Sequence, residues 1–321
     1  MTGLLRILAA AVLILCPPWR LSARGDAERG TGAPAARVFV DDLGHSLSLR
    51  GQPERIISGT LTSDEILLSL VAPQRLLAVT RFSRDPAISN VAEPAARVPQ
   101  ALDLNVEAYI ALQPDLVFLA AWSKAESVQQ LRDAGLAVYQ LRSPLSLGEI
   151  KEKVHILSRL VGAEARGDEL LGWMESRERR LAEAVGRLKP GQRLRVMDYQ
   201  PGGTSCGRGS SWQEMVRLAG LENAVSALEA DRWGVVPVSK EKLLEADADI
   251  LVLPGWIWAD PEGADRFRRQ ILSDPALGGL KAVRMGRVLQ MPERLKTATS
   301  HFFLLGAEAL CRYAYPELLP E

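Results

Sequence analysis

Cysteine, histidine and net charge are all scarce in this sequence, and each shortage removes a class of function. There are three cysteines in 321 residues, Cys16, Cys206 and Cys311, and no two form a CxxC pair. That removes the usual zinc-binding and thioredoxin-type spacings. A Cys206–Cys311 disulfide is compatible with an oxidising compartment but is not dictated by the sequence. Histidine occurs only at His45, His155 and His301, too few for a site that holds a free metal ion through several imidazoles. Lys plus Arg total 39 and so do Asp plus Glu, so no field draws the chain to nucleic acid or to an anionic membrane. No GxSxG, HExxH or Walker GK[ST] ending is present.

No apolar run is long enough to span a bilayer. The longest near the start, ILAAAVLILC, has ten residues and follows the basic start MTGLLR. This is the pattern of a secretory signal, with cleavage expected after Ala23. Leu15 stands before Cys16 where lipid-attachment motifs need a small residue, so secretion rather than lipid anchoring is the reading, and the periplasm is the expected location. Residues 24–36, RGDAERGTGAPAA, read as a flexible leader.

What remains is an alternation of strand and helix. After a short hairpin (ARVFVDD, HSLSLR), ERIISG reads as a strand and Thr62-Ser63-Asp64-Glu65 as a capping box that opens the next helix. RLLAVT, LVFLA and LAVYQL follow as strands, with helices between. Residues 146–190 lack any strand pattern and read as one long helix, or one broken at Gly162. From residue 193 the alternation resumes with RLRVMDYQ, a capping box at Ser211, and the strands ADILVLPG and RVLQM. The expected fold is α/β: two Rossmann-like lobes with mostly parallel sheets joined by a long helix. The lobes are placed at 37–145 and 191–321, with the helical bridge at 146–190 between them.

One spacing occurs twice. VEAYIALQPDLVFLAAW (106–122) and KEKLLEADADILVLPGW (240–256) put Glu107 and Glu241, Asp115 and Asp249, and Trp122 and Trp256 at identical offsets. The acids fall in the first turn of helices capped by Asn105 and Ser239, where the helix dipole favours a carboxylate. The tryptophans lie just past strand carboxyl ends, the edge where open α/β sheets bind ligands. Seven tryptophans occur in all. Trp258, Trp233 and Trp212 lie in loops or at a helix start of the second lobe, and the group reads as the wall of a cleft. Tyr199, Phe82, Arg81, Arg84, Arg294 and Lys296 occupy neighbouring strand-end loops. The basic ones are suited to meeting a ligand carboxylate or phosphate, although Arg84 and Lys296 read more simply as surface charge. The Gly-rich loop PGGTSCGRGSS (201–211) reads as a tight turn or a close approach to ligand.

RIISGTLTSDEILLSLVAPQRLLAVT, VPQALDLNVEAYIALQPDLVFLA, SSWQEMVRLAGLENAV and VPVSKEKLLEADADILVLPG together resemble the periplasmic substrate-binding proteins of ABC importers for cobalamin, ferric siderophores and haem. The resemblance runs over about residues 50–315. It implies two lobes on a rigid helix, a shallow cleft and little hinge motion. It also implies that Glu107 and Glu241 dock on arginines of the membrane permease, which works with its ATPase subunits. The carrier is expected to be a monomer with no cofactor of its own, the transported chelate containing Co or Fe. Phe82 falls where the cobalamin binder has a tyrosine, and Trp122 lies near a cleft tryptophan. Ala101 and Val235 replace two further tryptophans, with Trp233 two residues from the second. Those departures leave another corrinoid, a siderophore or another bulky planar chelate open. Alternatives are a haem binder using Tyr199 or His301 axially, or a two-lobed enzyme of chelatase or metal-cluster reductase type.

Overall fold

The computed structural model describes residues 36–189 and 191–319. The expected signal segment 1–23 and all but the last residue of the leader lie outside that range. In chain order the elements are a hairpin of β1 (Arg37–Val40) and β2 (Ser46–Leu49), then β3 (Ile56–Ser58), α1 (Leu61–Leu70), β4 (Leu76–Val79), α2 (Ala92–Ala95), β5 (Gln100–Ala101), α3 (Val106–Ala111), β6 (Leu116–Ala120), α4 (Ala125–Asp133) and β7 (Val138–Leu141). Two helices follow, α5 (Leu147–Leu160) and α6 (Glu164–Val185), separated by a break around Gly162. The second half comprises β8 (Arg195–Asp198), β9 (Thr204–Cys206), α7 (Ser211–Leu218), β10 (Glu222–Asn223), β11 (Val235–Pro237), α8 (Lys240–Ala246), β12 (Ile250–Pro254), α9 (Gly263–Ser273), α10 (Lys281–Arg284), β13 (Val288–Met291), α11 (Glu293–Lys296) and α12 (Phe303–Ala314).

The first lobe is a five-stranded parallel sheet in the order β5-β4-β3-β6-β7, and the second a four-stranded parallel sheet in the order β10-β8-β12-β13. Both are covered on two faces, as an all-parallel sheet must be. In the first, Ile56, Leu116 and Phe118 pack inward while Ile57, Val117 and Leu119 pack on the opposite face. In the second, Val196, Ile250 and Val252 alternate with Met197, Leu251 and Leu253 in the same way. The period-two alternation of the strands thus separates an inner core from an outer one. The inner core is continuous through both lobes, because Met174, Leu181 and Ala184 of α6 join it from between them. α6 is further pinned to α12 by Arg177 and Arg180, whose guanidinium groups reach the buried Glu308 at 2.6 and 3.0 Å.

Local details differ from the sequence reading. α1 starts earlier than a cap at Thr62 would allow. Thr60 is the capping residue, its hydroxyl accepting from the Ser63 amide, and Thr62, Asp64 and Glu65 are buried helix positions. Ser210, not Ser211, caps α7. The Gly-rich loop contains β9, which pairs antiparallel with β11; at three residues each, neither strand is long enough to show a period. Cys206 and Cys311 are both free thiols. Among the described residues no helix is long and apolar enough to cross a membrane.

Asp64 is fully enclosed beside the end of β4, where one carboxyl oxygen accepts from the amide and hydroxyl of Thr80. Burial pushes its carboxyl up from 3.8 to about 8. The folded chain therefore keeps a proton that the unfolded chain releases, and the associated stability is complete at low pH and is lost as pH rises through that interval. Urea denaturation across pH 4 to 8 is expected to show this decline in the wild type and a flatter profile in Asp64→Asn; equal slopes would contradict the assignment.

Candidate functional site

Each sheet changes winding direction once. From β3 the chain crosses to β4 on one side, while from β6 it crosses to β7 on the other; β8 and β12 stand in the same relation in the second sheet. A crevice opens outside the carboxyl ends of the strands at such a switch point, because the flanking loops part there. Both crevices face one cleft of about 650 Å³. Its walls come from the loops after β3, β4, β6 and β7 on one side, and after β8, β12 and β13 on the other. Glycine follows each central strand because the backbone is crowded there. A Cβ on Gly59 would lie 2.7 Å from the Phe118 carbonyl oxygen, and one on Gly255 would collide with the Met291 carbonyl.

The cleft is apolar and aromatic. Phe82 and Trp122 line it from the first lobe, Trp256 and Trp258 from the second. Phe82 and Trp258 meet across the lobes with ring centroids 5.5 Å apart, and Trp258 and Trp256 form an edge-on pair at 5.6 Å. Arg81 lies over both rings of the cross-lobe pair, at 5.3 Å from Phe82 and 5.0 Å from Trp258, and its Nε is 3.2 Å from Asp103. Trp122, on the same cleft wall, has 73% of its surface exposed, a large area left uncovered for one indole.

The floor is a polar seam that ties the lobes. The hydroxyls of Thr62 and Thr299 pair at 2.6 Å. Glu65, buried on α1, accepts from the amide and side chain of Asn90, both at 2.9 Å, and from the hydroxyl of Ser300 on the other lobe. The Asn90 side chain also donates to the Arg294 carbonyl at 2.7 Å, and the Arg294 amide donates to Ala87 at 3.2 Å. Burial is the main influence on the Glu65 carboxyl and raises it. His301 belongs to the same seam. Its Nε2 lies 3.3 Å from the Ser69 hydroxyl, whose own proton goes to the Glu65 carbonyl at 3.0 Å, so Nε2 is the donor there. Burial lowers the imidazole from 6.5 to about 4.

Five residues read as cleft-facing do not line the cleft, Arg81 among them, which packs over Phe82 and Trp258 without joining the lining. Tyr199 alternates to the outer face of β8, where it is 7% exposed and stacks on Phe267 at 5.9 Å. Trp233 is on the β9–β11 ribbon, 60% exposed, under Arg232. Trp212 is 3% exposed in the inner core. Arg294 is turned to Asn90, its guanidinium 3.3 Å from Oδ1. Nor do the two basic residues read as surface charge behave so: Arg84 donates to the carbonyls of Ala95 and Val98, and Lys296 is buried. Tyr199 and His301, the two candidate axial ligands, thus lie off the cleft wall. Among the described residues no three of His, Cys, Asp and Glu converge as a metal site. Sequence reading missed the threonines Thr60, Thr80 and Thr297 and the acid Glu293, all of which line the cleft; only their position after strand ends signalled them.

The repeated spacing resolves into separate roles. Asp115 accepts from the amides of Glu54 and Arg55 at 2.8 and 3.0 Å, and Asp249 from that of Arg195 at 2.8 Å. Each aspartate clamps the chain entering the central strand of its sheet. Glu107 and Glu241 are exposed in the first turns of α3 and α8, beside caps at Asn105 and Ser239. The Ser239 hydroxyl lowers the Glu241 carboxyl.

The family described as periplasmic binding protein matches residues 56–295, from β3 to α11. The chain belongs to the periplasmic binding protein family. Among curated relatives, this binding protein is similar to the uncharacterized ABC transporter substrate-binding lipoprotein YvrC of Bacillus subtilis, 23% identical over 88% of this chain and 87% of YvrC. It is 26% identical to a cobalamin-binding protein of Halobacterium salinarum over 77% of this chain and 67% of that one. Among solved structures, the molybdate-bound MolA of Haemophilus influenzae superposes with a TM-score of 0.72 at 20% identity, over 88% of this chain and 92% of MolA.

Replacing Glu65 with alanine strands the Asn90 and Ser300 donors at the lobe seam. A loss of roughly 2–4 kcal/mol in unfolding free energy is expected by urea denaturation; a change within about 0.5 kcal/mol would show that the seam contributes little.

Proposed function

We propose that this chain is the substrate-binding component of an ABC importer, that it captures a bulky metal chelate of corrinoid or ferric-siderophore type between its lobes, and that it delivers it to a membrane permease. The observation that carries the reading is the cleft itself: about 650 Å³, walled by Phe82, Trp122, Trp256 and Trp258. A volume of that size suits a large organic body, and indole and phenyl faces hold such a body by stacking and by removing apolar surface from water. Relatives named as an ABC transporter substrate-binding lipoprotein and a cobalamin-binding protein support the same reading. A carrier of this kind works outside the cytoplasm.

Glu107 and Glu241 supply the second half of the function. They are exposed, lie at equal positions in the two repeats and sit at helix starts. A spaced pair of acids is suited to arginines on a permease dimer, giving orientation and selectivity more than affinity. The four lining aromatics are the proposed ligand-contact set, with Arg81 supporting Phe82 and Trp258 from outside the lining. Tyr199, Trp233 and Arg294 lie elsewhere.

Two experiments test this. Titration of tryptophan fluorescence with cyanocobalamin, dicyanocobinamide, ferrichrome and hemin is expected to show saturable quenching by at least one, weakened roughly tenfold or more in Trp256→Ala; silence with all four would refute the carrier reading. Reversal of both acids, Glu107→Lys with Glu241→Lys, is expected to abolish stimulation of the importer's ATPase and leave chelate affinity unchanged. Undiminished stimulation would remove the docking role.

A further inference from the structure

Trp258 is held on the cleft wall from both lobes. It lies in the loop between β12 and α9, and the residue after it, Ala259, has a φ of 55°, in the left-handed region that non-glycine residues seldom adopt. Such a backbone persists where surrounding contacts fix it. On its own lobe those contacts are Trp256, edge-on at 5.6 Å, and a turn in which the Asp260 amide donates to the Ile257 carbonyl at 3.2 Å. From the first lobe come Phe82, with ring centroids 5.5 Å apart, and the Arg81 guanidinium, 5.0 Å from the Trp258 centroid. Arg81 is fixed in turn. It opens the short helical turn Arg81–Arg84 after β4, its Cζ is also 5.3 Å from the Phe82 centroid, and its Nε is 3.2 Å from Asp103 Oδ1 in the segment between β5 and α3. One cation thus covers a ring from each lobe while a carboxylate sets its place.

A guanidinium suits this task because it is planar, always charged and able to lie on aromatic faces. Without it, Phe82 and Trp258 are a tilted ring pair with Trp258 largely exposed. Each ring would then have rotamer freedom that a ligand must remove on binding. We propose that Arg81 is a positioning residue for ligand capture: without touching the chelate, it holds Phe82 and Trp258 together across the lobes in the empty protein, so that this part of the wall has its binding arrangement before the chelate arrives. That role rests on the carrier reading and deepens it, since the cost of ordering the rings is met in the free protein and not during binding. A basic residue in a strand-end loop suggests a partner for a ligand carboxylate. Here the guanidinium is committed to two rings and Asp103, and it lies outside the cleft lining.

The test uses the full chain, nitrogen-15 labelling of its tryptophans, and four probes: cyanocobalamin, dicyanocobinamide, ferrichrome and hemin. Without ligand, the Trp258 indole N–H signal, assigned by its loss in Trp258→Phe, is expected to shift and broaden in Arg81→Met, while that of the buried Trp212 stays in place. Arg81 is on the surface, so thermal unfolding is expected to stay near that of the wild type. With ligand, Arg81→Met is expected to weaken every probe that binds the wild type by roughly threefold to twentyfold, the range for one or two exposed cation–π contacts. Asp103→Asn is expected to weaken them less, in the same direction. In a Trp258→Ala background, Arg81→Met is expected to add no more than about a twofold loss, because the cross-lobe contact is already gone. A guanidinium that met the ligand itself would behave otherwise: the loss would fall on hemin, whose propionates seek a cation, and would persist in that background. That pattern, an unmoved Trp258 signal, or wild-type affinity in Arg81→Met overturns this inference and leaves the carrier reading intact. If no probe binds the wild type, the carrier reading falls and takes this inference with it.

Discussion

Two sheets share one hydrophobic core through α6, and the position of the cleft follows from that sharing. Met174, Leu181 and Ala184 join side chains from β3 and β6 to side chains from β8 and β12 in a single buried cluster. Opening the lobes as rigid halves would expose that cluster to water at about 25 cal/mol for each Å² of apolar surface. The seam of Thr62–Thr299, Glu65–Ser300 and Asn90–Arg294 adds buried hydrogen bonds that would break in the same motion. Ligand capture in such a molecule therefore depends on side chains at the cleft wall more than on lobe closure. The Phe82–Trp258 contact spans the lobes at the cleft wall, with Arg81 over both rings.

The electrostatics of the site follow the same division of labour. Charges inside the protein are paired or hydrogen-bonded for structural ends: Glu308 to α6, Asp198 to the β9 ribbon, Asp115 and Asp249 to incoming strands. Asp64 and His301 are enclosed, and burial moves each toward neutrality, outweighing at Asp64 the hydrogen bonds from Thr80 that favour the carboxylate. Glu107 and Glu241 stay in solvent, where a partner can reach them. Glu293, a cleft-lining residue, has one oxygen bonded to Lys296 and the other buried without a partner in the protein.

How much of this was legible in the sequence varied with the physics behind each feature. Strands such as Leu116–Ala120 and Ile250–Pro254 are unbroken apolar runs because both faces are covered, and they are readable for that reason. Helix starts were displaced by one or two positions at Thr60 and Ser210, since several neighbouring hydroxyls can cap and only packing selects among them. The β9–β11 ribbon, at three residues a strand, is too short to show a period and was invisible. For the site, Trp122, Trp256, Trp258 and Phe82 were readable from their places after strand ends. Tyr199 failed the same rule by one residue of alternation, which sends it to the outer face. Glu65 read as an ordinary capping-box acid and Glu293 drew no reading at all, because their contacts with Ser300 and Lys296 are identified only by the folded arrangement.

The most direct test of a rigid, aromatic-walled carrier is a crystal structure with cyanocobalamin or ferrichrome bound, compared with one without. The account predicts density for the chelate against Trp122, Trp256 and Trp258, with the two sheets keeping their relative orientation and the Glu65–Ser300 bond intact. Density elsewhere on the molecule, or lobes rotated apart with that seam broken, would contradict it.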